Sequence, residues 1–387
     1  MLEHWLLDPG TLYLNHGTVG ATPRCVLAAQ QAWRDRIERN PARFMIRELS
    51  DTLLARPDRS EAHLRLAARE VGSFVGARGE DLVFVDNSTT AVNAILRSYE
   101  FRADDELLLF DHGYGAIQIA ARSVAARHGA NVRCVQLPYP AVSEDAVVRA
   151  LEDAITPRTR VAIIDHVTSP SALVLPIARL AQSCRKRGVD VLVDGAHAPG
   201  AIALDIANSG ADWYTGNLHK WCWAPRSCAL LWVNPARQSG LHAATISWGF
   251  GQGIAAEFDW PGTRDPTPHL SAPDAIAWMR ELGVERVQSH NHELAWQAGQ
   301  LLARAWKSEV PAPQSMVGTM VTVQLPAAAG STQEHANRLR SALLFEDGIE
   351  IQMFAMYGAV WARVSAQVYN ELEDAERLAQ AVLARVD

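Results

Sequence analysis

Seven short runs of apolar residues alternate with longer amphipathic stretches between about residue 80 and residue 235. Runs rich in Val, Ile and Leu that are separated by helical stretches are typical of βα units feeding one sheet. We therefore expect a large α/β domain, and its predicted strands cover residues 82–86, 107–112, 132–137, 161–167, 189–194, 213–216 and 229–233.

The stretches between these runs carry apolar residues at helical spacing, with charged residues on the opposite face. This pattern predicts amphipathic helices that cover the sheet. The clearest examples are residues 91–99, 117–128, 144–155 and 177–188.

The character of the sequence changes at a passage rich in Gly and Pro, residues 249–268. Beyond it the pattern predicts two long helices, near 272–283 and 285–309, and then a strand, helix, strand, strand and helix order. Gly and Pro mark boundaries between periodic segments. We therefore divide the chain into a large domain, residues 21–257, and a smaller α+β domain, residues 258–387.

The composition of the 387 residues, 48% apolar and 20% charged, is that of an ordinary globular protein. The formal net charge is −7 and no run of Lys and Arg compensates for it locally, so we expect no nucleic-acid partner. Two long uncharged windows, 238–256 and 310–333, are interrupted by polar residues, Gly or Pro, so we expect no membrane contact.

The cysteines point to a reducing compartment. They are odd in number, widely scattered and free of any CxxC spacing, which does not fit a disulfide framework. We expect a cytoplasmic protein with five free thiols, at positions 25, 134, 184, 222 and 228.

Polar residues stand at or just beyond the ends of several predicted strands. In an open α/β sheet, ligands bind outside the carboxyl ends of the strands. The side chains that we expect to meet there are Asn87, Asp111, His112, Thr168 and Asp194.

Lys220 follows His219 directly, and Asp194 closes an apolar run 26 positions earlier. A lysine amine that burial or a nearby cation keeps partly deprotonated can form an imine with an aldehyde cofactor. A carboxylate facing a pyridine nitrogen keeps that nitrogen protonated, so that the ring draws electrons from a substrate. The pair predicts pyridoxal 5′-phosphate (PLP). Taken singly, Lys220 could also be a solvated loop lysine and Asp194 a strand-end cap.

Three hydroxyl side chains, of Ser88, Thr89 and Thr90, follow the first predicted strand and open a helix. Backbone N–H groups and hydroxyls at a helix N-terminus make a site for phosphate. An ordinary N-cap, which Ser and Thr often supply, is the alternative. His112 and Tyr114 could stack on a cofactor ring or be packed without such a role.

Six segments in this order resemble class V aminotransferase-like enzymes of PLP fold type I. The resemblance covers nearly the whole chain and implies an α/β fold: a large domain with a mostly parallel seven-stranded sheet, a smaller C-terminal α+β domain, and an N-terminal segment, residues 1–20, that lines the site and joins the small domain. The matching segments are YLNHGTVGATP at 13–23, NSTTA at 87–91, DGAHAPG at 194–200, NLHK at 217–220, GTRD at 262–265 and RVSAQVYN at 363–370.

The resemblance also implies how PLP is bound. Lys220 is expected to be the catalytic residue that carries the cofactor, and Asp194 to pair with its pyridine nitrogen. The other implied PLP contacts are Ser88, Thr89, Thr90, Asn217 and His219 at the phosphate, His112 on the ring, His197 and Thr168 at the phenolic oxygen, and Thr263 at the phosphate of a neighbouring subunit. A contact across subunits implies a homodimer.

Arg363 matches the family residue that binds the substrate carboxylate. Its planar, permanently charged guanidinium suits a bidentate pair with a carboxylate. The alternative role for this arginine is a surface ion pair. Asn15, His16 and Tyr114 are expected beside a small amino-acid-type substrate, with His16 or Tyr114 as the second acid that epimerisation would need.

The reaction is less defined than the cofactor. Cysteine desulfurases of the family carry a nucleophilic cysteine shortly before the carboxylate-binding arginine, and residues 345–365 contain none, which disfavours that activity. The motifs most resemble the isopenicillin N epimerase-like branch, which also includes C–S lyases. Both reactions begin with removal of the α-proton by Lys220. We therefore expect an epimerase-like enzyme, with a C–S lyase or an aminotransferase of the same family as the alternative.

Other classes fit the sequence less well. A non-catalytic PLP-fold binding protein would have no need for Lys220, Asp194 and Arg363 together. A nicotinamide dehydrogenase is disfavoured because no GxGxxG follows the first strand. The histidines of residues 290–293 are expected on an exposed helix face, so no metal site is predicted.

Overall fold

The computed structural model describes residues 1–386 apart from 55, 57 and 59. Within this part the strands are β1 (Leu12–Tyr13), β2 (Leu82–Val85), β3 (Glu106–Phe110), β4 (Asn131–Val135), β5 (Thr159–Asp165), β6 (Asp190–Asp194), β7 (Trp213–Asn217), β8 (Ala229–Val233), β9 (Met320–Gln324), β10 (Ile349–Glu350), β11 (Gln352–Met356) and β12 (Ala359–Ser365).

The α-helices lie mainly between these strands and near the two ends of the chain. They are α1 (His16–Val19), α2 (Arg24–Arg39), α3 (Pro41–Arg43), α4 (His63–Val75), α5 (Ser88–Ser98), α6 (Gly115–His128), α7 (Glu144–Ala154), α8 (Ile177–Lys186), α9 (Ile254–Asp259), α10 (Thr267–Leu270), α11 (Ala272–Leu282), α12 (Val284–Trp306), α13 (Gln333–Asp347) and α14 (Leu372–Val386).

The seven predicted strands form one sheet, in the order β2-β8-β7-β6-β5-β3-β4. Strand β8 runs antiparallel to both of its neighbours, and the pairs from β7 to β4 are parallel. Every residue of β2, β3, β7 and β8 is buried, because packed layers cover both faces of the sheet. The predicted α/β fold with a mostly parallel seven-stranded sheet is confirmed.

A second, antiparallel sheet has the order β11-β12-β9, and helices α12, α13 and α14 pack against it or against each other. The start of the chain joins this region, because β1 pairs with β10 and Asn15 bridges to Ser365. The limits 1–20, 21–257 and 258–387 stay predictions. No helix in the described residues is long and apolar enough to cross a membrane.

Candidate active site

A cavity of about 490 Å³ opens where strands β5, β6 and β7 end. This is the edge at which an open α/β sheet binds its ligands. The cavity is lined by Thr18, Asn87, Ser88, Thr89, Thr90, Tyr114, Asp165, Val167, Ser169, Asp194, Ala196, His197, Asn217, His219 and Lys220. Ten residues that the sequence proposed for the site therefore meet at one cavity.

Lys220 is buried at the wall of this cavity, and its Nζ lies 3.2 Å from Nε2 of His197. Burial, with the nearby positive charge of Arg363, lowers the pKa of the Lys220 amine to about 7, against the opposing pull of Asp194. The pKa of His197 is held well below its usual range, chiefly by burial and then by Lys220. His197 is therefore a neutral acceptor, and Lys220 is a free amine above about pH 7.

The N-terminal segment contacts the backbone of the loop that carries Lys220. Nε2 of His16 lies 3.1 Å from the carbonyl oxygen of Lys220, and Nδ1 of His16 lies 2.9 Å from the hydroxyl of Tyr369. Burial lowers the pKa of His16 to about 4. The structure does not bring His16 to the cavity: Nε2 contacts the lysine loop, and Nδ1 contacts Tyr369.

Gly20 makes this close approach possible. Its φ is +72°, and a Cβ at this position would lie 1.9 Å from the carbonyl oxygen of His219. Only glycine combines the left-handed conformation with so short a backbone contact. The glycine of the N-terminal motif therefore serves the placement of the lysine loop.

Two carboxyl groups lie side by side at the floor of the cavity. Asp194 ends β6 and Asp165 ends β5, and the two residues are partners in the parallel register. Burial raises the pKa of Asp194, and burial together with the neighbouring Asp194 holds the pKa of Asp165 well above its usual range. One oxygen of Asp194 accepts a hydrogen bond from the N–H of Ala196 (3.0 Å). The second oxygen is left for a bound group.

Asp165 was missed by the sequence reasoning, although the signal was present. It closes an apolar strand in the same manner as Asp194, and parallel neighbours bring such strand ends together. The motif comparison drew attention to Thr168 instead, and that residue lies off the cavity wall. Its hydroxyl is engaged with Ser171 (2.7 Å) and with the N–H of Leu173 (2.8 Å).

The first turn of α5 forms an anion cradle with β7. The side-chain oxygen of Asn217 accepts from the N–H of Ser88 at 2.9 Å, which leaves the Nδ2 donor of Asn217 for a bound group. Asn87 caps the helix by accepting from the N–H of Thr90. His219 engages the carbonyl of Cys228 through Nδ1 (2.8 Å), and burial lowers its pKa to about 4. The N-terminus of a helix attracts negative charge here.

Arg363 lies just behind the cavity wall. It is 2% exposed and donates to the carbonyl oxygen of Ser169 (2.6 Å) and to the hydroxyl of Thr18 (3.0 Å), two residues that line the cavity. Its buried Nε has no partner, and no carboxylate pairs with it among the described residues. The surface ion-pair alternative for Arg363 is therefore wrong.

Asn15 does not line the cavity, but it positions a residue that does. Its side-chain oxygen accepts from the hydroxyl of Thr18, and its Nδ2 donates to Glu350 at 2.7 Å. Thr18 then accepts from Arg363. The sequence motif pointed to Asn15 and passed over Thr18, which is the residue at the cavity.

Two other predicted PLP contacts also lie off the cavity wall. His112 is buried, with Nδ1 2.6 Å from the hydroxyl of Ser171 and Nε2 2.9 Å from the hydroxyl of Tyr357. Thr263 lines a separate cavity of about 220 Å³ that shares Thr90 with the first. A contact from Thr263 to a neighbouring subunit stays a prediction.

The residues at the cavity fit PLP. Lys220 is a buried amine that would hold the aldehyde carbon, and Asp194 has an oxygen for the pyridine nitrogen. The cradle of Ser88, Thr89 and Thr90 would take the phosphate. Nδ1 of His197 is buried without a partner in the described part of the chain, and buried polar atoms are rarely left unpaired. A polar group of the cofactor would supply that partner.

Comparison with known proteins identifies the family of the chain. The family described as aminotransferase class-V matches residues 13–378. The chain is 33% identical to a probable chloroplastic L-cysteine desulfhydrase of Arabidopsis thaliana, over 97% of this chain and 83% of that one. It is 31% identical to the isopenicillin N epimerase of Streptomyces clavuligerus, over 97% and 95%.

A solved structure shares the fold. It is a mutant of C-DES with glycine covalently linked to its PLP cofactor, with a TM-score of 0.79, 20% identity, and coverage of 99% of this chain and 98% of that one. The chain belongs to the aminotransferase class-V family, whose enzymes depend on PLP.

Proposed function

We propose that the protein is a PLP-dependent C–S lyase that removes the β-sulfur from a cysteine-type amino acid. The sequence motifs favoured an epimerase-like label, and the site geometry together with the similarity to an L-cysteine desulfhydrase supports the lyase alternative better. The observation that carries the proposal is the buried guanidinium of Arg363, which pairs with no carboxylate among the described residues and lies behind a small cavity that also holds Lys220.

Arg363 supplies the recognition of an α-carboxylate. A buried cation without a counter-ion is costly, and a substrate carboxylate would offset that cost. The contacts to Ser169 and Thr18 fix the plane of the guanidinium, so its N–H donors are already oriented before the substrate binds. An amino acid with a free carboxylate is the substrate class that matches this group.

The size of the cavity favours a small substrate. Ligand cavities span roughly 300–1,000 Å³, and the 490 Å³ found here must take both the cofactor and the substrate. Cysteine fits that limit more readily than a β-lactam peptide such as isopenicillin N. The cavity therefore supports a single amino acid over a peptide-sized substrate.

Lys220 supplies the base. The chemistry that PLP supplies when bound is withdrawal of electrons from the α-carbon, which acidifies the α-proton. Because its amine has a pKa near 7, Lys220 can take this proton at neutral pH and return it to the departing sulfur. One buried base is then sufficient for elimination, and the overall products of L-cysteine and water are sulfide, ammonia and pyruvate.

Epimerisation is the second candidate, supported by the similarity to isopenicillin N epimerase. It requires an acid on the face of the α-carbon opposite Lys220. Of the two candidates from the sequence, His16 is engaged behind the lysine loop, and Tyr114 lines the cavity but is 47% exposed. A solvent-exposed tyrosine is the only one of the two left for that step, which weakens this candidate.

We further propose a homodimer in which Thr263 completes the phosphate site of the partner, in a reducing compartment such as the cytoplasm. Three large apolar side chains, Ile246, Trp248 and Phe250, are exposed on the segment before α9, and exposed apolar patches commonly mark interfaces. The thiols are free in the described residues, which suits a reducing environment. Analytical ultracentrifugation that found a fully active monomer would exclude the dimer.

The reaction is tested by incubating the PLP-loaded protein with L-cysteine and other amino acids in heavy water. A lyase releases sulfide, ammonia and pyruvate. Deuterium at the α-carbon with both enantiomers present would identify an epimerase, and a keto acid with pyridoxamine phosphate would identify an aminotransferase. Either of these outcomes without sulfide would overturn the proposed lyase activity.

A further inference from the structure

The hairpin between β11 and β12 has a tyrosine where a turn rarely takes one. Met356 pairs with Ala359, so Tyr357 and Gly358 form a two-residue turn, with φ of +49° and +74°. Turns with two positive φ values favour Asn, Asp or Gly at the first position. A bulky residue held in this region is strained, and such strain is retained where the surrounding structure requires that side chain.

The hydroxyl of Tyr357 reaches across to the large sheet. It donates to Oδ2 of Asp111 at 2.7 Å and lies 2.9 Å from Nε2 of His112. Its ring stacks on Tyr139, with ring centres 5.6 Å apart and an interplanar angle of 25°. A residue of the small sheet is therefore tied to the turn that follows β3, two residues before Tyr114 at the cavity wall.

The directions of these hydrogen bonds determine which nitrogen of His112 carries the proton. Tyr357 uses its only proton on the carboxylate, so its oxygen accepts from His112, and Nε2 must be the protonated nitrogen. Nδ1 is then bare and accepts from the hydroxyl of Ser171 at 2.6 Å. Burial lowers the pKa of His112, which favours the neutral ring that this pattern needs.

We propose that Tyr357 is a positioning residue for PLP binding: it holds His112 as its Nε2-protonated form and, through Asp111 and His112, fixes the turn that leads to Tyr114 at the cavity wall. The proposal rests on the proposed function in one respect, that the cavity lined by Tyr114 binds PLP. The hydroxyl at the tip of this strained turn contacts both Asp111 and His112.

The chain offers a matched control for the hydroxyl of Tyr357. Tyr139 packs on the same histidine, at 4.8 Å between ring centres, and its hydroxyl is buried without a hydrogen-bond partner among the described residues. Tyr139→Phe and Tyr357→Phe each remove one oxygen beside His112, and only the second removes a hydrogen bond to it.

The first test measures the histidine itself in the cofactor-free protein. Nitrogen-15 NMR of labelled histidine, assigned by loss of the signal in His112→Gln, should show a protonated Nε2 and a bare Nδ1 in the wild type and in Tyr139→Phe. Tyr357→Phe should shift His112 towards a mixture of the two forms. Identical His112 signals in all three proteins would overturn the proposal.

The second test measures the dissociation constant of PLP by titrating the cofactor-free proteins. Because the turn that leads to Tyr114 at the cavity wall loses a hydrogen bond that holds it, we expect Tyr357→Phe to weaken binding about 3- to 10-fold and Tyr139→Phe to stay within about 2-fold of wild type. Tyr357→Asn should weaken binding as much while folding at least as stably, since Asn suits the turn. Wild-type affinity in both Tyr357 variants would refute the positioning role.

The two proposals fail separately. If the wild type binds no PLP, the proposed function fails, and the NMR measurement still decides the role of Tyr357. If the wild type binds PLP and both Tyr357 variants bind it equally well with unchanged His112 signals, the positioning role fails and the proposed function stands.

Discussion

Replacing Arg363 with methionine separates a substrate-binding role from a structural one. Burial lowers the pKa of this guanidinium from its ordinary value to about 10, which corresponds to a cost of about 3 kcal/mol for holding the charge in the fold. Methionine of similar length removes that cost. It also removes the hydrogen bonds to Ser169 and Thr18, each worth about 1 kcal/mol. We therefore expect the free energy of unfolding of cofactor-free Arg363→Met to rise by about 1 kcal/mol.

The same change should abolish substrate recognition. Loss of two charge-assisted hydrogen bonds to a carboxylate, about 1.5–3 kcal/mol each, lowers kcat/KM for L-cysteine by about 150-fold or more. Arg363→Lys keeps the positive charge but loses the pair of parallel N–H donors of the guanidinium. We therefore expect a smaller loss in kcat/KM, about 10- to 150-fold, mainly through a higher KM. A variant that is more stable and less active is characteristic of a residue retained for function.

Urea unfolding of the cofactor-free proteins and steady-state kinetics of the loaded ones measure these effects. Arg280→Met is a matched control, because Arg280 forms an exposed ion pair with Glu70, and such pairs contribute only about 0–1 kcal/mol. If Arg363→Met instead lowered stability by about 3 kcal/mol or more, the arginine would be part of a buried structural network, and the assignment of the carboxylate site would be refuted.

Three further predictions concern the rest of the site. The rate at which the cofactor-free protein captures PLP should rise through about pH 7, since the lowered pKa of Lys220 frees its amine there; a rise only near pH 10 in stopped-flow absorbance would contradict the buried amine. Asp194→Asn removes the like charge beside Asp165, so the pKa of Asp165 should fall, as followed by carbon-13 NMR of labelled aspartate; an unchanged titration would show that the two carboxyls do not interact. Gly20→Ala should lower the free energy of unfolding by at least about 3 kcal/mol, because the new Cβ meets the carbonyl of His219; near wild-type thermal stability would contradict that contact.

The sheet could be predicted from the sequence because its strands are buried on both faces. Burial on both sides makes each strand a continuous apolar run, and all seven runs became strands. The direction of β8 could not be predicted in this way. An antiparallel strand buried on both faces has the same apolar pattern as a parallel one, and only its pairing with β7 and β2 defines its direction.

The cavity was predictable where residues follow strands or open helices, as Asp194, Ser88 and Lys220 do. The sequence was less informative where a side chain works through contacts far along the chain. His16 belongs to a motif, yet its contacts are to the backbone of Lys220 and to Tyr369. Tyr357 meets Asp111 across 246 positions, and no local pattern indicates such a contact.

In the proposed function, Lys220 acts as the base of a C–S lyase on a cysteine-type amino acid. The most direct measurement is sulfide and pyruvate release from L-cysteine by the PLP-loaded wild type, with Lys220→Ala as the control. We expect equimolar sulfide and pyruvate from the wild type, and neither product from the variant. A wild type that exchanges or inverts the α-carbon of its substrates without releasing sulfide, or a Lys220→Ala protein that releases it at the wild-type rate, would contradict the account.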